Sequence, residues 1–169
     1  MQARQAAKDR AQARQAIKDQ AKEQDLSDYS NQVKFIEQAV LRSRKPITAE
    51  SFRVVYSVLE RSLEPRYRIL AEVSLGSFIG TDNKSHSDYA SDLAFRSINS
   101  KRVDFLIIDP LGAPHLAIEY HGSGHFQGNA ESRDAVKRLI FQKVGIPLLE
   151  FKEGVSEDNV RDAVIKNLS

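Results

Sequence analysis

From Thr48 to Leu63 the apolar residues Phe52, Val55, Tyr56, Leu59 and Leu63 recur every three or four positions, which predicts a helix with one apolar face. Thr48 stands where an N-cap belongs, and Pro65 closes the segment. In YRILAEVSL the period changes to two. Tyr67, Ile69, Ala71, Val73 and Leu75 fall on one side and Arg68, Glu72 and Ser74 on the other, interrupted only by Leu70. That alternation predicts a half-buried strand. RVDFLIID and HLAIEY are apolar runs of strand length on either side of the turn sequence DPLGAP, so they predict a β-hairpin. Beyond the glycine-containing HGSGHFQG loop, Val136, Leu139, Ile140 and Val144 share one helical face between 129 and 144, and Gly145 supplies a stop. IPLLEF is a continuous apolar strand. Joining HLAIEY to it through a helix makes a strand–helix–strand crossover, which implies parallel pairing and a right-handed connection. A last helix starts near Ser156, its likeliest cap by residue type, with Val160, Ala163, Val164 and Leu168 inward.

The pattern is weaker elsewhere. Val33, Ile36, Ala39 and Val40 predict a short amphipathic helix within Leu26–Arg44 that docks on the main domain and is ended by Pro46. The polar stretch from Gly80 to Ser100 predicts a mobile or substrate-facing insertion, with a short helix in DYASDLAFRSI. At the start, QARQAAKDRA is followed at once by the near-duplicate QARQAIKDQA. Ten helical residues turn roughly 1000°, so successive copies are rotated by about 80° and build no continuous apolar stripe. This is a helix-prone arm, a solvated tether rather than a coiled coil. The expected organisation is an arm over 1–25 and one domain over 26–169, its core at about 47–151. The order helix, strand, two-stranded hairpin, helix, strand, helix predicts an α/β sandwich with a mixed sheet.

Composition narrows the chemistry more than the fold. With 169 residues, 41% of them hydrophobic, the chain suffices for one substantial core. The formal charge of +2, from 25 Lys+Arg against 23 Asp+Glu, is too small to diagnose a polyanionic partner. Cysteine is absent, which removes disulfides and thiolate metal sites and leaves Asp, Glu, His and backbone carbonyls as ligands. Any metal is therefore expected to be hard and oxygen-loving. No apolar run approaches the roughly 20 residues that span a bilayer, and MQARQAAKDR lacks the apolar stretch of a signal peptide. A cytoplasmic location is the expectation.

Two carboxylates stand out because they interrupt strands that otherwise read as buried: Asp104, between Val103 and Phe105, and Glu119, between Ile118 and Tyr120. The hairpin brings Asp104 opposite the region Glu119–His121. If Asp104 pairs with Glu119 the two acids share a face; a slip of one residue pairs it with Tyr120 and separates them. Glu119 and His121 lie two apart and point the same way. His125 follows in a loop with Gly122 and Gly124 that can fold back to the same spot. The bland alternatives are a strand-end ion pair of Asp104 with Arg102 or Arg133, and an in-sheet ion pair of Glu119. A zinc site at His121 and His125 is a minor reading, since the pair sits in a loop rather than on a helix. Asp109, before Pro110, shapes the turn.

The run RVDFLIID, LAIEYHGSGH, SRDAVKR and GIPLLEF resembles the pattern of an uncharacterised bacterial branch of the PD-(D/E)XK nuclease superfamily, similar to the very-short-patch-repair endonucleases. TAESFRVVYSVLE and RILAEVSL resemble its leading helix and first strand, so the likeness spans about 47–151. The resemblance implies a restriction-endonuclease-like α/β/α sandwich and a Mg²⁺-dependent endonuclease, with Mn²⁺ as substitute, that hydrolyses DNA phosphodiester bonds; RNA stays open. It further implies metal ligation by Asp104, Glu119 and the Tyr120 backbone carbonyl, with Glu50 on the leading helix binding a metal-bound water. The departure is the lysine of E-x-K, which is His121 here. Imidazole is a competent proton carrier. His121 and His125 are thus candidates for the catalytic role, and Lys137 on the next helix is a second source of the absent charge. Arg96, Lys101, Arg102, Arg133 and Arg138 are the candidate nucleic-acid contacts. The alternatives are a catalytically weakened nucleic-acid-binding module on the same fold and a protein-interaction module built on the leading helices and arm.

Overall fold

The structure, a computed structural model, describes residues 25–81, 88–122 and 130–168, together with Gln15 and Lys22. The chain divides into two units, 1–44 and 45–169. In the first, helix α1 is Tyr29–Gln38, capped by Asp28, whose side chain accepts from the Ser30 N–H. It buries none of its residues, and Ile36 and Val40 are exposed. The expected amphipathic helix therefore exists, but it stops at Gln38, well short of Pro46.

The second unit holds everything else. Thr48 accepts from the Ser51 N–H and starts helix α2, which runs through Ala49–Ser51, a π-helical turn at Phe52–Tyr56, and Ser57–Ser62. In the π-turn the Ser57 N–H reaches back to the Phe52 carbonyl. The extra residue this inserts rotates the helix, so the core side is formed by Val55, Val58 and Leu59, while Phe52 is half exposed and stacks on Tyr56. Four strands follow: β1 (Arg68–Ser74), β2 (Arg102–Ile108), β3 (Pro114–His121) and β4 (Leu148–Lys152). Helix α3 (Asp88–Asn99) precedes β2, α4 (Ala130–Val144) joins β3 to β4, and α5 (Glu157–Leu168) ends the described chain.

The sheet order is β1-β2-β3-β4. β1–β2 and β2–β3 are antiparallel and β3–β4 parallel, so the sheet is mixed, as the crossover argument predicts. The hairpin turn is held by Asp109, which accepts from the backbone N–H groups of Leu111 (2.9 Å) and Ala113 (2.8 Å), with Gly112 at φ 87°. Helices cover both faces. Phe105, Ile107, Leu116, Ile118 and Tyr120 form a core with α2 and α5. Val103, Leu106 and Ala117 form another with Ile140 and Phe141 of α4.

Two details depart from the sequence pattern. Tyr67, Ile69 and Ala71 pack on the first core, but Val73 and Leu75 pack on the second, so β1 changes sides between Ala71 and Val73. The residue between them, Glu72, has φ 54°, a left-handed conformation that breaks the pleat. On α4 only Ile140 of the predicted apolar face is buried: Val136, Leu139 and Val144 are exposed, and Lys137 and Phe141 face the sheet beside Ile140. The physical reason is the acidic sheet surface beneath α4, described below.

Leu59 is fully buried where α2 meets the sheet. Leu59→Ala should destabilise the 45–169 unit by about 2–5 kcal/mol, read as a lower urea midpoint at unchanged slope.

Candidate functional site

The paired register of the hairpin ends at Phe105 with Ile118, and just beyond it the charge of Asp104 bears on the Glu119 carboxyl. Glu119 faces α4, whose Lys137 reaches it. Asp104 Oδ2 accepts the Tyr120 backbone N–H at 2.7 Å. Because the N–H and C=O of an extended residue project to the same side, the Tyr120 carbonyl belongs to this edge of β3 too.

Glu119 is buried, only 3% exposed. Burial and the neighbouring Asp104 charge push its carboxyl up to about 7, against the opposing pull of Lys137, whose Nζ lies 2.7 Å from Oε1. At that distance the ammonium compensates the charge of the buried carboxylate directly. Asp134, one turn earlier on α4, adds a second carboxylate 3.8 Å from the same ammonium. Lys137 thus reaches the site from the helix, while the strand position that follows Tyr120 holds His121.

His121 turns toward β4. Its Nε2 lies 3.3 Å from Glu150 Oε1, and Arg138 Nη1 donates to both Glu150 oxygens at 2.9 and 3.1 Å. On the other side, Ala71 pairs with Phe105 and Val73 with Val103, which sets Glu72 opposite Asp104. Burial and the Asp104 charge raise the Glu72 carboxyl above its ordinary range, with Arg102 pulling it down. Glu119 pairs with Glu150 in the parallel ladder. Glu72, Asp104, Glu119 and Glu150 thus come one from each strand, Glu119 and Glu150 as a ladder pair and Glu72 between the two pairs that flank Asp104.

Glu50 is tied to Tyr120: its Oε1 accepts from the Tyr120 hydroxyl at 2.8 Å, and its Oε2 sits where a Cβ at Gly122 would come within 3.0 Å. Burial and this carboxylate push the Tyr120 phenol up to about 12. His125 falls outside the described residues, as does the side chain of Arg133. Arg96 is exposed on α3. Lys101 donates to the Ser97 carbonyl (3.1 Å) and Ser100 Oγ (3.3 Å), and Arg102 is exposed with Nη1 3.5 Å from the Glu72 carbonyl. Arg138 is engaged by Glu150 rather than facing solvent alone. Sequence reasoning missed Glu72 and Glu150. For Glu150 a signal existed, an acid inside the apolar run IPLLEF, the same kind of signal that singled out Glu119. Glu72 sat at an ordinary outward position of an alternating strand and gave none.

Among the described residues, no group of three His, Asp or Glu side chains is disposed to hold a metal ion, and no helix is long and apolar enough to cross a membrane. The family model described as "Protein of unknown function (DUF2726)" matches residues 44–168, and the chain belongs to that family. It is 37% identical over 134 residues to an uncharacterized protein of Haemophilus influenzae, a match covering 73% of this chain and 66% of the relative. It is 31% identical over 121 residues to the uncharacterized protein y4bI of Sinorhizobium fredii, covering 71% of this chain and 78% of the relative. No solved structure matches.

The raised Glu119 carboxyl fixes a pH dependence. The folded state holds a proton there between the ordinary value of 4.5 and about 7, where the unfolded chain has released it. Stability from this group is full below the ordinary value and lost as pH rises to about 7. In metal-free protein the unfolding free energy should fall across that interval, and Glu119→Gln should flatten the fall, measured by urea unfolding at a series of pH values. At Glu72 the left-handed backbone and the facing Asp104 both oppose the native side chain. Glu72→Gly should therefore raise stability by about 0.5–1 kcal/mol in the same assay.

Proposed function

We propose that this chain is a metal-dependent nuclease of the PD-(D/E)XK type, acting on DNA, with the restriction-endonuclease-like variant of the mixed α/β architecture. The observation that carries the proposal is the set of charges about Glu119: the Asp104 charge bears on its buried carboxyl from the neighbouring strand, and the Lys137 ammonium lies 2.7 Å from it. Two carboxylates and one ammonium are the functional set of the superfamily's motif. Here the ammonium comes from helix α4 rather than from the strand.

The donor set suits a hard divalent cation. Glu119 is buried, Asp104 opposes it with like charge, and carboxylate and carbonyl oxygens predominate among the ligands at hand. Asp104 and Glu119, with the Tyr120 carbonyl, are the residues that would hold Mg²⁺, and waters would fill the remaining positions, since Mg²⁺ keeps several. When bound, the cation supplies Lewis acidity toward a phosphoryl oxygen and a more acidic water. The protein's own part is positional. The Tyr120 N–H fixes the Asp104 carboxylate, and Glu50 fixes the Tyr120 ring through its hydroxyl. Lys137 compensates Glu119 and lies beside the same carboxylates as a donor for an attacking water or a phosphate oxygen. His121, on the same face two residues from Glu119, is the proton carrier. Arg96, exposed on α3, is the phosphate contact this reading favours, ahead of Lys101, Arg102 and Arg138 with their intramolecular partners.

A second reading, a nucleic-acid-binding module on the same scaffold without catalysis, draws on one observation. Lys137 already neutralises Glu119, and among the described residues no three ligating side chains converge. The two readings separate in one experiment. Incubated with supercoiled, single-stranded and branched DNA in Mg²⁺ or Mn²⁺, the protein should cleave at least one substrate and be inert in EDTA. Asp104→Ala and Glu119→Ala should each reduce the rate by about 100-fold or more, as loss of several kcal/mol of charge stabilisation requires. Cleavage that survives both substitutions eliminates this site. DNA binding without cleavage, indifferent to both, selects the binding module.

A further inference from the structure

The Glu150–Arg138 pair on β4 and α4 has no place in the superfamily motif, yet it touches the residue that stands in the motif's lysine position. We propose that Glu150 is a positioning residue that holds the His121 imidazole with its proton on Nε2, and that Arg138 fixes Glu150 in turn. The inference rests on the nuclease reading for its catalytic meaning and extends that site by one strand.

Three observations carry it. The parallel ladder pairs Glu119 with Glu150 and His121 with Lys152, so Glu150 is the diagonal neighbour of His121 on the face that bears Glu119. The His121 ring is largely buried, and its Nε2 lies 3.3 Å from Glu150 Oε1. Arg138, a permanent cation, donates to both oxygens of Glu150, at 2.9 and 3.1 Å. A carboxylate gripped in that way only accepts, so the hydrogen bond to His121 requires the proton on Nε2, and in the neutral ring the lone pair then belongs to Nδ1. Which ring nitrogen carries the proton decides which one can take a proton during reaction. A carboxylate that sets it acts on turnover without touching the substrate. Arg138 is thereby assigned to holding Glu150 rather than to a phosphate of the nucleic acid.

The test combines a spectroscopic signature with kinetics on the full chain. In protein labelled with ¹⁵N-histidine, with the His121 signal assigned by its loss in His121→Gln, long-range ¹H–¹⁵N spectra at one fixed pH report the tautomer. Wild type should show the Nε2–H form, and Glu150→Ala should show a mixture. On a DNA substrate in Mg²⁺, Glu150→Ala should lower kcat by about 10–100-fold while KM stays within about two-fold, and Glu150→Asp should recover part of the loss. If Glu150→Ala does not fold, Arg138→Gln leaves the carboxylate in place but unclamped and should move both readouts in the same direction by less. An unchanged tautomer, or an unchanged kcat in a protein that Asp104→Ala inactivates, overturns the inference and leaves the nuclease reading standing. A wild type that binds but never cleaves fails the nuclease reading itself, and the catalytic role of Glu150 falls with it, whatever the tautomer.

Discussion

A carboxylate inside an apolar strand must be matched by a cation from somewhere, and in this protein the demand of Glu119 sets the arrangement of everything above that face of the sheet. The strand itself offers no cation, so it comes from α4, the helix that crosses over from β3 to β4. Bringing Lys137 to Glu119 rotates α4 until Asp134, Lys137 and Phe141 point at the sheet and Val136, Leu139 and Val144 point outward. The balance favours this rotation. A buried charge left without its partner costs about 3–5 kcal/mol, against roughly 1 kcal/mol for each aliphatic side chain left half exposed. Arg138, one residue on, adds a second charged contact at Glu150 on the same helix face.

The same constraint extends to the neighbouring acids of the sheet. Each strand contributes one, from Glu72 through Asp104 and Glu119 to Glu150. Toward the β4 side the acids are matched by cations on α4. Toward the β1 side Arg102 moderates Glu72, and Asp104 has a backbone N–H as its donor. Burial first, and then the charge of Asp104, is why Glu119 and Glu72 both sit above their ordinary range. At the C-terminal end of β3, Gly122 lets Glu50 and the Tyr120 ring approach the backbone closely.

Most of the framework was legible in the sequence because it is carried by local signals. The Thr48 cap, the Asp109 turn, the stop at Gly145 and the Ser156 cap all act over a few residues, and all recur in the structure. The parallel pairing of β4 followed from the length of the crossover. What failed was long-range. The facing of α4 depends on a partner on another element, and an apolar stripe weighed by itself pointed to the wrong side. The side switch in β1 depends on the backbone of one residue, Glu72, whose type gives no hint of a left-handed conformation. In the site, Asp104 and Glu119 were legible because acids are rare inside apolar strands. The partner of His121 was not, because the strand that supplies it lies 29 residues further along the chain.

The left-handed Glu72 has a consequence beyond the acids it crowds. β1 is an outer strand of the four-stranded sheet, and a long flat outer strand invites another chain to pair with it. At Glu72 the backbone donors and acceptors of β1 leave their common line, and an acid sits at the break. An incoming strand would find a template of four residues before the break and two after it. The sheet ends at β1 by its geometry, and the chain is shielded there from strand-by-strand self-association.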